Sequence, residues 1–267
     1  METRIANPAA PPLLIEMEEV AVASARPPQS ILLSGINWSV RAGDYWVVGG
    51  LPGSGKTDFL AVAAGLQRPA RGTHRLFGRD LTRLSEAEQW RERRRLGLVF
   101  DSGGRLFSHL TVAENVALPI CYHRNWTPAE ASQRVDAVLE LTGLTELAQR
   151  RPGEISYSWR QRAGLARSLA MEPEMLLLEN PVAGLELRHL QWWREFLAKL
   201  ARGEVFVDHP PMTLVIATHD LQRWADSAKQ FALLDRGRWL LLGDRRRLSG
   251  CTEPVLRELL ATDTTAG

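Results

Sequence analysis

Residues 50–57 read Gly50-Leu51-Pro52-Gly53-Ser54-Gly55-Lys56-Thr57, the spacing G-x-x-x-x-G-K-[ST]. Glycines at these places let the backbone curl until successive N–H groups point inward at a phosphate. Lys56 sets a point charge against the β- and γ-phosphates, and the Thr57 hydroxyl is the type of ligand that Mg²⁺ takes beside them. All eight residues are therefore candidates for holding a nucleoside triphosphate. Such a loop works only between a strand and a helix N-terminus, where free amides and the helix dipole favour an anion. The flanks meet that demand: Asp44-Tyr45-Trp46-Val47-Val48-Gly49 reads as a buried strand and Lys56 to Ala64 as a helix.

The elements around this core follow from pattern and turn residues. Residues 1–12 end in Pro-Ala-Ala-Pro-Pro and read as a flexible tail, with one domain over 13–267. Leu13 to Val22 and Ile31 to Val40 read as strands, and Arg41-Ala42-Gly43-Asp44 as the turn before the loop's own strand. A short strand is expected over Gly72 to Gly78. Ser85 with Glu88 three residues on predicts a capped helix, and Leu96 to Phe100 a further buried strand. From about 105 to 170 the pattern turns helical, with Thr127-Pro128 opening a helix that runs through Leu141. Strands return at Met175 to Leu178, Thr213 to Ala217 and Phe231 to Leu234, with helices expected at about Leu185 to Ala201 and Leu221 to Ser227. Alternating strands and helices predict a largely parallel sheet interrupted by a helical insertion.

Composition narrows the partners. The 267 residues carry 33 Lys and Arg against 31 Asp and Glu, a net charge of +2, which implies no nucleic-acid partner. Arginine runs at 91–95 and 245–247 read as solvated faces. Cys121 and Cys251 have no metal-ligand spacing and form no disulfide framework, so a reducing, cytoplasmic compartment is expected. No apolar run approaches the roughly 18 to 20 residues that cross a bilayer, and the first residues lack the pattern of a signal peptide. A membrane role would come through a partner.

Beyond the loop, the chain resembles the nucleotide-binding subunit of ABC transporters from about Leu14 to Leu260. The landmarks stand in that family's order. Val99-Phe100-Asp101 to Pro119 is similar to the stretch around the Q-loop. Ile155-Ser156-Tyr157-Ser158-Trp159 stands where the signature motif belongs, and Leu176-Leu177-Leu178-Glu179-Asn180-Pro181 occupies the Walker B position. Ala183-Gly184-Leu185-Glu186 falls on the D-loop and Ala217-Thr218-His219-Asp220 on the H-loop. The resemblance implies an α/β fold: a P-loop NTPase core of RecA type with an antiparallel β subdomain and a helical insertion. It implies ATP and Mg²⁺ as cofactors, a homo- or heterodimer of ATP-binding subunits, and membrane permease subunits as partners on the inner face of the cell membrane. Segments 103–119 and 253–260 are similar, more narrowly, to the ATPases of lipid-asymmetry and mammalian-cell-entry importers.

Several positions depart from the family pattern, all near the reacting phosphate. The resemblance assigns Glu179 to Mg²⁺, where the family has aspartate, and Asn180 to the attacking water, where it has glutamate. Asparagine has no basic lone pair, and general-base help is worth about 10²- to 10⁴-fold in rate. Asp101 replaces the Q-loop glutamine and keeps an oxygen for the metal; Asp58 stands where a hydroxyl residue usually faces the α-phosphate. No aromatic residue lies between Val20 and Ala25 to stack on adenine. His219 is retained and is placed by the resemblance to contact the γ-phosphate and the water. In the signature, Ser156 remains as a contact for the partner's ATP, while Tyr157, Ser158 and Trp159 replace Gly-Gly-Gln. The bulky rings would hinder close approach of that loop. The expectation is a subunit that binds ATP and hydrolyses it slowly or not at all; a competent ATPase with unusual residues and a structural or regulatory subunit are the alternatives.

Overall fold

A computed structural model describes residues 10–26, 30–101, 105–206, 209–251 and 253–261. Among them, ten strands form one sheet in the order β5-β4-β1-β2-β10-β9-β3-β8-β7-β6. The strands are β1 (Leu13–Ala23), β2 (Ile31–Arg41), β3 (Tyr45–Gly49), β4 (Arg71–Leu76), β5 (Arg79–Asp80), β6 (Leu96–Val99), β7 (Met175–Glu179), β8 (Thr213–Thr218), β9 (Gln230–Asp235) and β10 (Arg238–Gly243). One wing, β5-β4-β1-β2, is antiparallel throughout. In the other, β9, β3, β8, β7 and β6 run parallel. A single parallel residue pair, Arg238 with Ser34, joins the wings through β10.

The parallel strands are apolar along their whole length because both faces are covered. In β3, Tyr45 and Val47 enter one core with Leu176, Leu178, Leu214 and Ile216, while Trp46 and Val48 enter a second with Phe59, Leu60 and Leu177. Alternate residues of a strand point to opposite faces, so one short run serves both cores. The first core lies against α6 (Leu187–Arg202), which buries Leu190, Trp193, Leu197 and Leu200. The second lies under α1 (Lys56–Ala63), whose Phe59 stacks on Trp239 with centroids 5.3 Å apart.

Between β6 and β7 the chain is helical, as the pattern predicts: α3 (Val112–Arg124), α4 (Pro128–Leu141) and α5 (Tyr157–Leu169), with α2 (Glu86–Arg93) just before β6. Reciprocal capping boxes start three of these helices, at Ser85 with Glu88, Thr111 with Glu114 and Thr127 with Glu130. The Thr127 hydroxyl and amide both donate to Glu130, at 2.8 and 2.6 Å. Thr127→Ala should therefore cost about 1 kcal/mol, read as a lower midpoint in urea at an unchanged slope.

One expected helix is absent. Residues 221–227 make only a 3₁₀ turn at Gln222–Trp224. Asp220 accepts from the amide and the guanidinium of Arg223, and fully buried Trp224 pins the turn, leaving too few residues for helix propagation. Two short helices follow β10, α7 (Arg245–Gly250) and α8 (Pro254–Leu260). Helix α8 is tied back by Leu221 N–H donating to Leu259 O at 2.8 Å.

Candidate functional site

The loop between β3 and α1 is held in a tight curl. Gly53 and Gly55 have φ of 81° and 89°, in the left-handed region. A Cβ at Gly50 would stand 2.4 Å from Ser54 Oγ and 3.2 Å from Leu234 O, so any other residue there would have to displace the Ser54 side chain. Gly55 is the N-cap of α1 and offers no side-chain cap, which leaves the first amides of that helix for an anion.

Lys56 Nζ donates to the loop's own carbonyls, Gly50 O at 2.6 Å and Leu51 O at 2.8 Å, and one donor remains. Burial lowers the Lys56 ammonium from 10.5 to about 8, with Glu179 and then Asp101 pulling it partly back. The charge needed for a phosphate is thus present below about pH 8 and lost above it. ATP affinity should fall by up to about tenfold per pH unit from there upward, since one pKa unit is worth about 1.4 kcal/mol. Calorimetric titration across that range checks it; a flat profile would mean that the lysine charge contributes nothing.

Beside Lys56, the Thr57 hydroxyl donates to Glu179 at the end of β7. The cleft at this point has a volume of about 270 Å³ and is lined by Pro52, Gly53, Lys56, Thr57, Glu179 and Asn180, among others. These residues fit the implied groups. The curled amides and Lys56 suit a polyphosphate, and a hydroxyl meeting one carboxylate suits Mg²⁺, which takes one or two carboxylates plus phosphate oxygens and water. Among the described residues no cluster of three acidic, His or Cys side chains offers an all-protein metal cage. Bound there, Mg²⁺ would neutralise charge on the phosphates.

Asp58, unfavourable if it faced a phosphate, lines the cleft but accepts from Ala25 N–H at 2.9 Å. Its charge is spent on the loop after β1, which carries no ring for an adenine. Asp101 lies close enough to Lys56 to act on its ammonium. It accepts from Tyr157 Oη at 2.9 Å and from Asn180 Nδ2 at 3.3 Å. Asn180 Oδ1 lies 2.9 Å from His219 Nδ1 and accepts from His219 N–H at 3.2 Å. The structure thus joins four sequence landmarks in one line: Tyr157, Asp101, Asn180 and His219.

Ser156, the N-cap of α5, is exposed, and no hydrogen bond joins it to residues 50–57 among the described residues. Tyr157 is the residue that sequence reasoning missed. It reads as an obstacle in the signature position, yet its hydroxyl reaches Asp101, and Gln161 one turn later donates to it at 3.4 Å. The helical spacing of 157 and 161 is the signal that was available. Trp159 turns instead onto His189, ring edge to face at 4.8 Å, with the Arg162 guanidinium 4.7 Å from its centroid and 3.8 Å from that of Trp192.

The family model described as ABC transporter matches residues 33–183. The sulfate/thiosulfate import ATP-binding protein CysA of Mycobacterium tuberculosis is 36% identical over 219 residues, 82% of this chain and 59% of that protein. The methionine import ATP-binding protein MetN of Bifidobacterium longum is 32% identical over 85% of this chain and 55% of its own length. The chain therefore spans somewhat over half the length of these relatives. Among solved structures, the ATP-binding cassette MJ0796, a dimer in a post-hydrolysis state with ADP and Pi, aligns with a TM-score of 0.74 at 24% identity over 84% of this chain and 96% of that one. The protein cbiO1 of Clostridium perfringens, part of the ABC transporter complex cbiONQ, aligns with a TM-score of 0.75 at 24% identity over 90% of this chain and 91% of that one. At such identity the structural likeness speaks for the fold.

Proposed function

This chain belongs to the ABC transporter family, whose ATP-binding domains take ATP with Mg²⁺, and we propose that it is the ATP-binding subunit of an importer. The observation that carries the reading is the loop at 50–57: curled on glycines, opening on uncapped amides of α1, with Lys56 and the Thr57–Glu179 pair at its mouth. Binding of ATP, more than its cleavage, is the proposed working step, through closure of a homo- or heterodimer of such subunits.

The permease partner would dock on the helical side, on the cytoplasmic face of the membrane. No helix of the described residues is long and apolar enough to cross a bilayer. A largely apolar groove lies there between α2, β6 and α3, lined by Leu66, Trp90, Leu98, Pro119 and Met171, with Arg93, Arg94 and Arg167 among them. Leu66 and Trp90 are 53% and 43% exposed, and Phe107, in the loop before α3, is 48% exposed. Asn115 holds the Phe107 loop on α3 through that residue's N–H and C=O. Large apolar groups presented on a rigid frame suit a helix from a membrane protein.

Slow hydrolysis is proposed because the side chain at 180 is an amide that spends its groups on Asp101 and His219. Phosphate release by the purified chain should stay below about 1 s⁻¹, the low end of ordinary enzyme turnover. A higher rate would support the competent-ATPase reading instead; no ATP binding at all would leave a structural subunit. For the cargo, segments 103–119 and 253–260 favour phospholipid, although Gly103 and Gly104 lie outside the described residues. The relatives above are named for sulfate or thiosulfate and for methionine. Stimulation of phosphate release in permease-bearing vesicles by one of these cargo classes alone would name it.

A further inference from the structure

The line of hydrogen bonds through Asn180 has a chemical consequence that the individual residues do not. An asparagine amide has an acceptor end and a donor end, and here both ends are determined by their neighbours. The Asp101 carboxylate only accepts, so the group facing it at 3.3 Å is the NH₂. The His219 backbone N–H only donates, so the group facing it at 3.2 Å is the carbonyl oxygen. The amide therefore has one orientation. That same oxygen lies 2.9 Å from His219 Nδ1, which must then carry the proton. In the neutral ring Nε2 is left with the lone pair.

The backbone supports this placement. Asn180 has φ of 41°, the left-handed region, where asparagine is among the few side chains tolerated. Its N–H donates to Ala217 O at 2.8 Å and its C=O accepts from Ala183 N–H at 3.1 Å, and the residue is 9% exposed. Asp101 is steadied in turn by Tyr157 on α5, an element of the helical region, so the orientation of an imidazole beside β8 depends on a residue from another part of the fold.

We propose that Asn180 is a positioning residue, anchored through Asp101 and Tyr157, that holds His219 in the Nδ1–H tautomer and leaves Nε2 as the proton-accepting nitrogen of the site. A neutral ring so held receives a hydrogen bond from water and gives none to a phosphate oxygen. The asparagine at 180 then supplies orientation to a histidine acceptor where the family has a carboxylate. This inference rests on the ATP-binding reading for its function, though its structural content does not.

The test is the imidazole ¹⁵N spectrum of the whole chain without nucleotide, recorded where it no longer changes with pH. The His219 signals are identified by their loss in His219→Gln. Nδ1 should resonate as the protonated nitrogen and Nε2 as the unprotonated one; the opposite pattern in the unmodified chain overturns the proposal whatever the variants do. Asn180→Ala should release the ring toward the Nε2–H form that free imidazoles favour, and Asn180→Asp, which keeps the acceptor, should retain Nδ1–H. Tyr157→Phe should move the population partway. An unchanged tautomer in Asn180→Ala would overturn the role of Asn180, and an unchanged one in Tyr157→Phe would overturn that of Tyr157. Because no nucleotide is present, failure here is distinct from failure of the chain to bind ATP.

Discussion

Lys56→Ala is expected to weaken ATP binding by about 100-fold or more, with the fold intact. A hydrogen bond from a charged group contributes about 1.5–3 kcal/mol, and one buried against a polyphosphate belongs at the upper end, where 3 kcal/mol is roughly 150-fold. Lys56 is 6% exposed and is aimed by two carbonyls of the loop itself, so little ordering remains to be done when a phosphate arrives. Removing it also leaves Gly50 O and Leu51 O without that donor, which loosens the curl holding the amides in place. Equilibrium titration with ATP and Mg²⁺ measures the loss. Unchanged affinity would place nucleotide, if it binds, somewhere other than this loop. Lys56→Arg separates charge from shape: the planar guanidinium cannot satisfy both carbonyls from the same position, so affinity should recover only partly.

How much of this was legible in the sequence depended on whether the determinant was local. The loop was legible because its glycines, lysine and threonine act at fixed short spacing, and the flanking strand and helix announce themselves by apolar run and periodicity. Capping boxes at Ser85 and Thr127 were legible for the same reason. The end of the sheet was less so. Strand β10 alternates poorly, with Leu240 and Leu241 partly exposed, and it is fixed by antiparallel pairing with β9 across the tight turn at Arg236-Gly237. The pattern over 221–227 is helical, and nothing local says that Asp220 will capture Arg223 and leave only a turn at 222–224. In the site, each landmark was legible by order along the chain, but their joining was not. Tyr157 and Asp101 are 56 positions apart, and Asn180 and Asp101 are 79 apart. That Asp58 would spend its carboxylate on Ala25 is likewise a fact of tertiary structure, 33 positions away.

Asn180→Glu, which restores the family's residue, is expected to destabilise the chain by about 2–3 kcal/mol while raising phosphate release less than about tenfold. The stability loss has two sources. Glutamate pays roughly 1–2 kcal/mol for the left-handed backbone that asparagine tolerates at φ 41°. It also exchanges the NH₂ that serves Asp101 for a second carboxylate, so a hydrogen bond becomes a like-charge contact in a mostly buried place. For a chain of this size the midpoint of thermal unfolding should fall by roughly 4–12 °C. The small gain in rate follows from the same geometry. A well-placed base is worth about 10²- to 10⁴-fold, but only within hydrogen-bond reach of the water and with its charge intact. Beside Asp101 the new carboxyl group is driven toward its protonated form, and Tyr157 still holds Asp101 in place. A gain of 100-fold or more from this single change would locate the whole deficit at residue 180. The more productive variant should be Asn180→Glu with Asp101→Gln, which removes the opposing charge and returns an amide to the Q-loop position. If the double variant's gain over the unmodified chain exceeds the product of the two single-variant effects, the two positions act as a unit, as their hydrogen bond implies.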